Sequence, residues 1–282
     1  MSRVLSSTPL APNISRLWVE APAIARKRQP GQFVIVRVDE AGERIPLTIA
    51  DVDRARGAIS LIVQAVGKST RQICALKEGD SITDVAGPLG RPTTIPPHAR
   101  VCCVGGGIGT AVVYPIAQAV KARGGHVVAI VGGRERNLVI LEDELHALAD
   151  DLIITTDDGR YGRRGLTLDA LRDLLDEGRT FDEVVAVGPV RMMEAICALT
   201  RPRGLRTTVS LNPVMVDGTG MCGGCRISVG GETKFVCVDG PEFDGHLVNF
   251  KELAARLTAY REHECRAAEE GRREAAAGME AW

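Results

Sequence analysis

Between residues 14 and 85, short runs of β-branched and aliphatic residues alternate with turn residues, as in ISRLWVEA, FVIVRVD, IPLTIADVD and AISLIVQAV. Strands at this spacing, with few helical patterns between them, predict a small antiparallel barrel. The turn QPGQ at 29–32 leads directly into one such run at Phe33. We therefore expect the chain to begin with an antiparallel β-barrel, to which we assign residues 1–98.

The pattern changes after residue 99. The apolar run RVCCV at 100–104 is followed by the glycine loop GGGIGTA and then by a helical pattern, VVYPIAQAVKARGG. Further apolar runs at 127–131, 152–156 and 183–187 alternate with helical patterns around 141–149 and 168–175. Alternating strands and helices predict a parallel sheet with helices on both faces, and we assign residues 99–208 to this α/β domain.

The glycine loop between the first strand and helix of that domain predicts a dinucleotide site. Small residues let a pyrophosphate approach the helix N-terminus, where N–H groups and the helix dipole favour anions. The expected contacts are Gly106, Gly107, Ile108, Gly109 and Thr110. The next two strands end at further candidates, Gly133, Arg134, Asp157 and Asp158. The two carboxylates favour NAD(H) over NADP(H), although Arg134, Arg160, Arg163 and Arg164 lie close in sequence.

A cysteine-rich loop follows, VDGTGMCGGCRISVGGETKFVCVDGPEFDG at 216–245. Its candidate metal ligands are spaced D-x4-C-x2-C-x11-C, which is the plant-type [2Fe–2S] pattern with Asp in place of the first Cys; they are Asp217, Cys222, Cys225 and Cys237. Structural zinc, with Asp217 or His246 as the fourth ligand, also suits these thiolates. A glycine-rich turn with buried cysteines is the third interpretation.

Composition excludes several classes of protein. The 282-residue chain has a formal net charge of −1, which predicts no nucleic-acid partner. No apolar run is long enough to span a membrane, and the N-terminus lacks a signal-peptide pattern, so we expect a cytoplasmic protein. Eight cysteines in such a compartment indicate metal or redox chemistry rather than disulfides. We expect Cys74, Cys102, Cys103 and Cys197, which lie in apolar runs, to be inert core thiols.

Two segments of the barrel carry a resemblance to a known family. The strand Arg44-Ile45-Pro46-Leu47-Thr48 and the turn Gly67-Lys68-Ser69-Thr70 resemble the flavin-binding motifs of the ferredoxin–NADP reductase superfamily. The resemblance implies FAD, with Arg44 on its pyrophosphate. It also implies that Pro46, Leu47 and Thr48 line the ring, and that the turn residues donate to the pyrophosphate. We include Val63, on the strand before that turn, among the flavin contacts.

The turn GPVRMM at 188–193 resembles the superfamily turn beside the nicotinamide, and it adds Gly188, Pro189 and Met192 to the predicted site. Many members carry Cys where this chain has Val187. The pattern alone also allows Met192 and Met193 to be part of the helix core.

The order of barrel, nucleotide domain and cysteine loop is similar to that of the electron-transfer subunits of dihydroorotate dehydrogenases and of the electron-bifurcating NADH-dependent ferredoxin:NADP⁺ oxidoreductases. The first group has four thiolates, whereas the bifurcating subunits have Asp in the first position, as Asp217 is here. The resemblance implies that NADH reduces FAD and that single electrons leave through a [2Fe–2S] cluster at 209–250. It also implies a larger partner with flavin and [4Fe–4S] clusters, similar to the glutamate synthase small subunit, which would connect the chain indirectly to ferredoxin.

Two alternatives remain open at this point. The first is a subunit that serves dihydroorotate dehydrogenase or another anaerobic reductase. The second is a zinc-bearing interaction protein on a degenerate reductase fold. Beyond residue 250 the apolar positions Phe250, Leu253, Leu257 and Tyr260 predict an amphipathic helix, followed by a flexible Ala-, Glu- and Arg-rich tail to residue 282.

Overall fold

The structure, a computed structural model, describes residues 1–259. Its first part is an antiparallel sheet in the order β6-β1-β2-β5-β4-β3-β7. A single residue separates β6 from β7 in the chain, so the two edges of the sheet meet and the barrel is nearly closed. The strands are β1 (Ser2–Ala11), β2 (Ile14–Glu20), β3 (Phe33–Arg37), β4 (Ile45–Asp53), β5 (Ala58–Gln64), β6 (Ser81–Ile82) and β7 (Asp84–Leu89), with helices α1 (Pro22–Lys27) and α2 (Lys68–Ala75).

Strand β5 is buried on both faces, which explains its continuous apolar run. Alternate residues Ile59, Leu61 and Val63 fill the barrel core. Ile62 points to the opposite face and joins a cluster of apolar side chains that includes Ala111 of the second domain. The barrel therefore uses β5 both as core and as the wall that meets the nucleotide domain.

The second part is a seven-stranded sheet in the order β11-β10-β9-β8-β12-β13-β16. All neighbouring pairs are parallel except β13 with β16. Its strands are β8 (Arg100–Gly106), β9 (His126–Gly133), β10 (Asp151–Thr156), β11 (Arg163–Arg164), β12 (Glu183–Val187), β13 (Thr207–Ser210) and β16 (Glu242–Asp244); its helices are α3 (Thr110–Ala122), α4 (Glu142–Leu148), α5 (Thr167–Asp176) and α6 (Val190–Thr200).

The strand order reverses between β8 and β12, because the chain runs outward from β8 to one edge and from β12 to the other. Ligands of open α/β sheets bind at the carboxyl ends of the strands where the order reverses. The glycine loop at 105–109 and the turn at 188–189 follow these two neighbouring strands. The predicted fold class, an antiparallel barrel followed by a parallel-sheet domain, is confirmed.

The four candidate ligands of the cysteine loop lie between β13 and β16, which are neighbours in this sheet. The loop contains the hairpin β14 (Arg226–Val229) and β15 (Glu232–Phe235) and the short helix α7 (Val236–Asp239). The predicted boundary between residues 208 and 209 falls inside β13, so the loop shares a sheet with the nucleotide domain. The division of the chain into four segments stays a prediction.

The final described element is α8 (Phe250–Thr258), which begins with the Asn249 side chain accepting a hydrogen bond from Glu252 N at 3.0 Å. Leu253 is fully buried, and Phe250 packs in the same core as Cys225 and Cys237. The amphipathic helix is thus present, while Tyr260 and the predicted flexible tail lie outside the described residues. No helix in residues 1–259 is long and apolar enough to cross a membrane.

Candidate functional site

A cavity of about 650 Å³ lies between the barrel and the nucleotide domain. Barrel strand β4 forms one side of the cavity, and the loops after β8, β9 and β12 form the other. The sequence-predicted residues that line it are Pro46, Leu47, Thr48, Gly106, Gly107, Ile108, Gly109, Gly133, Arg134, Asp157, Gly188, Pro189 and Met192. The fold therefore brings the predicted flavin strand and the predicted nucleotide loops to one place.

On the barrel side, the lining alternates along β5. Ile62 and Gln64 face the cavity. Val63 lies between them, is 1% exposed and packs in the barrel core. Its predicted contact with the flavin is therefore not made by its side chain, because successive side chains of a strand point to opposite faces. The hydrophobic run AISLIVQ concealed this alternation, since both faces of β5 are buried.

The remaining predicted flavin residues form a second group outside the cavity lining. Arg44 is exposed just before β4, and Gly67 precedes α2. Thr70 Oγ1 accepts hydrogen bonds from Val66 N at 3.0 Å and Gly67 N at 2.9 Å, which fixes the start of that helix. Lys68 and Ser69 occupy its first turn.

The first turn of α2 already holds an anionic group. Ser69 Oγ donates a 2.5 Å hydrogen bond to the Glu43 carboxylate. A helix N-terminus favours anions through its free N–H groups and its dipole. The start of α2, with Arg44 adjacent in sequence to Glu43, therefore has donor chemistry that suits a flavin pyrophosphate.

The glycines of the nucleotide loop have distinct physical reasons. An added Cβ at Gly109 would lie 2.2 Å from the Val187 carbonyl oxygen, so only Gly lets α3 approach β12 this closely. Gly107 has φ +56° and open space around its Cα, which leaves the backbone accessible from the cavity. Thr110 is 2% exposed in the first turn of α3 and does not line the cavity. The loop fits a pyrophosphate, as its sequence predicts.

Met192 packs across the mouths of β8 and β12. A Cβ added to Gly106 would lie 2.5 Å from Met192 Sδ, and a Cβ added to Gly188 would lie 2.7 Å from Met192 Cε. Met192 also lines the cavity, whereas Met193 is fully buried in the core. Met192 therefore belongs to the cavity wall, and Met193 belongs to the helix core.

Of the two acidic residues after β10, only Asp157 lines the cavity. Asp158 instead accepts a 3.1 Å hydrogen bond from Arg160 N. Arg134 lines the cavity nearby, and Arg136 lies 4.6 Å over the ring of Tyr161. The structure thus brings one carboxylate and one arginine to the nucleotide end of the cavity, and the preference for NAD(H) stays a prediction.

Sequence reasoning missed one wall of the cavity. It is formed by residues just before the cysteine loop and by one residue that follows its last cysteine, namely Ser210, Leu211, Asn212, Met215 and Pro241. These residues carry no recognisable motif. The pairing of β13 with β16 places both ends of the loop at the cavity, and that long-range contact has no local sequence signal.

In the cysteine loop, the four predicted ligands form two pairs. Cys225 Sγ and Cys237 Sγ are 3.2 Å apart and both residues are buried. Asp217 accepts hydrogen bonds from Thr219 N at 2.8 Å and Cys222 N at 2.7 Å, and Cys222 is exposed. Within residues 1–259, no three His, Cys, Asp or Glu side chains gather around one point suited to a single metal ion.

The donor set fits a two-iron cluster better than a single ion. Two sulfurs each about 2.3 Å from one tetrahedral metal are about 3.8 Å apart, so Cys225 and Cys237 need to separate only slightly to share one iron. A [2Fe–2S] cluster takes two ligands on each iron, which matches two pairs rather than one group of four. The N–H groups of Thr219 and Cys222 lower the pKa of Asp217, so this carboxylate is ionised and able to ligate at neutral pH.

The four described cysteines outside the loop have the apolar surroundings that the sequence predicts. Cys102, Cys103 and Cys197 are buried, and Cys74 is half-buried. Burial raises the pKa of Cys103 and of Cys197 to about 12, and it raises those of Cys102 and Cys74. These thiols are protonated at neutral pH and are therefore poor nucleophiles.

Residues 212–249 match the family described as the iron–sulfur cluster binding domain of dihydroorotate dehydrogenase B. The Thermotoga maritima homologue of the dihydroorotate dehydrogenase B (NAD⁺) electron transfer subunit is 44% identical over 264 residues, covering 94% of this chain and 93% of its own. The Geobacillus thermodenitrificans electron transfer subunit is 34% identical, covering 85% and 94%. The chain belongs to this electron transfer subunit family. The prediction that it is part of an oxidoreductase is confirmed, and family membership gives no support to the zinc-bearing interaction protein.

The chain is also similar to solved structures. An NADH-dependent reduced ferredoxin–NADP oxidoreductase, described in terms of flavin-based electron bifurcation, is 43% identical, with a TM-score of 0.91 over 96% of this chain and 97% of that one. Phthalate dioxygenase reductase is 18% identical with a TM-score of 0.57 and shows the fold alone. The resemblance to both kinds of electron transfer subunit is confirmed, and the predicted FAD, [2Fe–2S] cluster and NAD(H) agree with it.

Proposed function

We propose that the chain exchanges hydride between NAD(H) and FAD, and passes single electrons through a [2Fe–2S] cluster to a larger partner with flavin and [4Fe–4S] clusters. On this proposal the complex carries out electron bifurcation with ferredoxin and NADP(H). When bound, the flavin supplies the conversion between two-electron hydride chemistry and one-electron transfer. The remaining roles belong to residues of this chain.

The observation that carries the proposal is the wall shared by the cavity and the cysteine loop. Met215 lines the cavity and stands two residues before Asp217, while Pro241 lines it four residues after Cys237. The backbone segments that enter and leave the candidate cluster site are therefore the cavity wall itself. A cofactor ring in the cavity and a cluster in the loop would be neighbours with little protein between them.

The residues of the cavity have separate tasks in this proposal. Pro46, Leu47 and Thr48 of β4 line the flavin ring, and the start of α2 receives the pyrophosphate. The nucleotide loop at 106–109 binds the pyrophosphate of NAD(H) at the start of α3. Gly188, Pro189 and Met192 border the position of the nicotinamide and exclude water from it. Val187 stands where many members of the superfamily have Cys, so this position supplies no thiol for hydride transfer.

In the cysteine loop, Cys225 and Cys237 would bind the buried iron, and Asp217 and Cys222 the outer one. Several residues close in sequence to the candidate ligands are exposed and apolar. Met221 is 89% exposed, and Val214, Val216 and Val238 are also exposed large hydrophobic residues. Exposed apolar residues on one segment are typical of protein interaction sites. We therefore place the electron-accepting partner at these exposed residues.

A second candidate acceptor is a dihydroorotate dehydrogenase subunit, because the matched cluster domain and several relatives carry that description. Asp217 in the first ligand position favours the bifurcating complex, on the resemblance that this position is Cys in the dihydroorotate group. Affinity purification of the tagged chain from its own cells distinguishes the two. A partner with [4Fe–4S] clusters supports bifurcation, and a dihydroorotate dehydrogenase supports the second candidate.

The test of the proposal is EPR spectroscopy of the anaerobically purified, FAD-replete protein. We expect a reduced [2Fe–2S] signal after NADH is added, because nucleotide, flavin and cluster form one electron path. A signal with dithionite but none with NADH would contradict the assigned electron path. A colourless protein that contains zinc would overturn the proposal entirely.

A further inference from the structure

Two arginines hold successive carbonyl groups of the C-x2-C loop. Arg226 Nη1 donates to Gly223 O at 3.1 Å, and Arg256 Nη2 donates to Gly224 O at 2.9 Å. Arg226 belongs to the hairpin that follows the loop, but Arg256 comes from the last turn of α8, 32 residues along the chain. The C-terminal helix thus makes direct contact with the backbone between two candidate cluster ligands.

Helix α8 is anchored where it makes this contact. One turn before Arg256, the Glu252 carboxylate accepts a 3.0 Å hydrogen bond from Ser228 N. On the same helix, Leu253 is fully buried in the core that contains Cys225. The helix therefore forms hydrogen bonds to the segment after Cys222 at Gly224 and at Ser228, and the buried Leu253 side chain lies between these two contacts.

The contacts with the carbonyl oxygens determine where the N–H groups of the loop point. In a trans peptide, the C=O and N–H bonds point in opposite directions. By holding Gly223 O and Gly224 O, Arg226 and Arg256 therefore fix the N–H groups of Gly224 and Cys225 in the opposite direction. The first of these lies 3.4 Å from Cys222 Sγ, as a hydrogen bond to a thiolate requires. Successive N–H groups arranged in this way form a concave site for an anion.

Arg256 also supplies charge that no described acidic residue neutralises. Among residues 1–259 it makes no salt bridge, and its Nε atom is buried without a hydrogen-bond partner. The Arg256 side chain is half-buried, and a charge that is partly removed from water is screened less than a fully exposed one. Reduction adds a negative charge to a cluster, so such a cation favours the reduced form.

We propose that Arg256 is a positioning residue that sets the reduction potential and the retention of the cluster. It acts through Gly224 O, by orienting the Gly224–Cys225 peptide and by its charge, and it does not ligate iron. This inference depends on the proposed [2Fe–2S] site. It gives the C-terminal helix a role in electron transfer that neither the cysteine spacing nor the flavin motifs assign.

The test is an EPR-monitored redox titration of the FAD-replete holoprotein and its variants. In Arg256→Met we expect the equilibrium constant for cluster reduction to fall at least about tenfold, equivalent to about 59 mV for a one-electron couple. Lys251→Met is the matched control, because Lys251 is exposed on the same helix and carries the same charge. We expect this control to leave the potential unchanged. Arg256→Lys keeps the charge but not the planar donor group, so it separates the two contributions.

Retention is measured independently by the rate at which a chelator bleaches the cluster absorbance. Arg256→Met is expected to lose its cluster at least about tenfold faster than Lys251→Met, as for other residues that orient ligands. A variant that retains FAD but cannot be isolated with a cluster would also support the role in retention. An unchanged potential together with an unchanged bleaching rate would overturn the inference. Absence of a [2Fe–2S] signal in the unmodified protein would instead overturn the proposed function.

Discussion

Replacement of Asp217 is the sharpest perturbation of the candidate cluster site. The carboxylate accepts hydrogen bonds from Thr219 N and Cys222 N at 2.8 and 2.7 Å. Gly218 and Gly220 have φ +77° and +86°, so the loop adopts a conformation that few residues tolerate and that these bonds hold in place. Asp217→Ala removes both bonds and the only candidate oxygen ligand.

The magnitude follows from the two bonds. A hydrogen bond to a buried charged group contributes about 1.5–3 kcal/mol, and partial exposure reduces each of these to about 1 kcal/mol. The loss of about 2 kcal/mol shifts the loop roughly 30-fold toward open conformations, before any loss of ligation is added. We therefore expect Asp217→Ala to lose iron and sulfide during purification.

Two further variants separate structure from ligation. Asp217→Asn keeps one of the two acceptor oxygens and is neutral, so it should retain one of the two turn bonds and still lose the cluster. Asp217→Cys supplies a thiolate, so it should retain the cluster with an altered EPR spectrum and potential. Asp244→Ala is the matched control, because Asp244 makes a similar turn bond to His246 N at 2.9 Å but is not a candidate ligand.

The assay is iron and sulfide content per FAD, together with the EPR spectrum after dithionite reduction. We expect full iron and sulfide content in Asp244→Ala and Asp217→Cys, and low iron and sulfide content in Asp217→Ala and Asp217→Asn. If Asp217→Ala kept its full iron content and an unchanged spectrum, Asp217 would be removed from the site. If Asp217→Asn behaved in the same way, the carboxylate would be only a turn residue.

Three other changes have defined outcomes. Gly109→Ala places a methyl group 2.2 Å from Val187 O, so it should cost about 1–3 kcal/mol of stability and weaken NADH binding in a fluorescence titration. Gly107→Ala, at φ +56° in open space, should cost only about 1–2 kcal/mol. Equal losses of NADH binding in the two variants would contradict the different roles of these glycines. Burial raises the pKa of Glu242 from 4.5 to about 7, so its contribution to stability is complete below about pH 4.5 and is lost as the pH rises through 7. Between pH 5 and 8 the free energy of unfolding should therefore fall by up to about 3 kcal/mol more in the unmodified protein than in Glu242→Gln. Parallel curves of stability against pH would refute this. Met221→Lys should weaken association with the partner at least about tenfold while the cluster EPR stays the same, and unchanged association would move the contact elsewhere.

The periodicity of the sequence predicted the barrel and the parallel sheet because both depend on local patterns. The alternating runs of β2 to β5 and the strand–glycine–helix unit at 100–110 each specify their element over a few residues. Side-chain direction was harder to predict where both faces of a strand are buried. Val63 therefore belongs to the barrel core, while its neighbours Ile62 and Gln64 line the cavity.

Contacts between distant segments could not be predicted from local patterns. Met215 and Pro241 line the cavity only because β13 and β16 pair, and Glu43 meets α2 only because the barrel brings the two turns together. Spacing predicted the four cluster ligands as a set. It could not show that Asp217 and Cys222 form a pair distinct from Cys225 and Cys237.

The pairing of β13 with β16 has a consequence for engineering this class of protein. The segment 211–241 is spliced between two adjacent strands of the nucleotide sheet, so it is an insertion rather than an appended unit. Cutting the chain after β13 would remove β16 and expose an unpaired sheet edge, which promotes aggregation. A chimaera that exchanges cluster types should therefore join both ends of the insertion, at β13 and at β16, and leave the sheet whole.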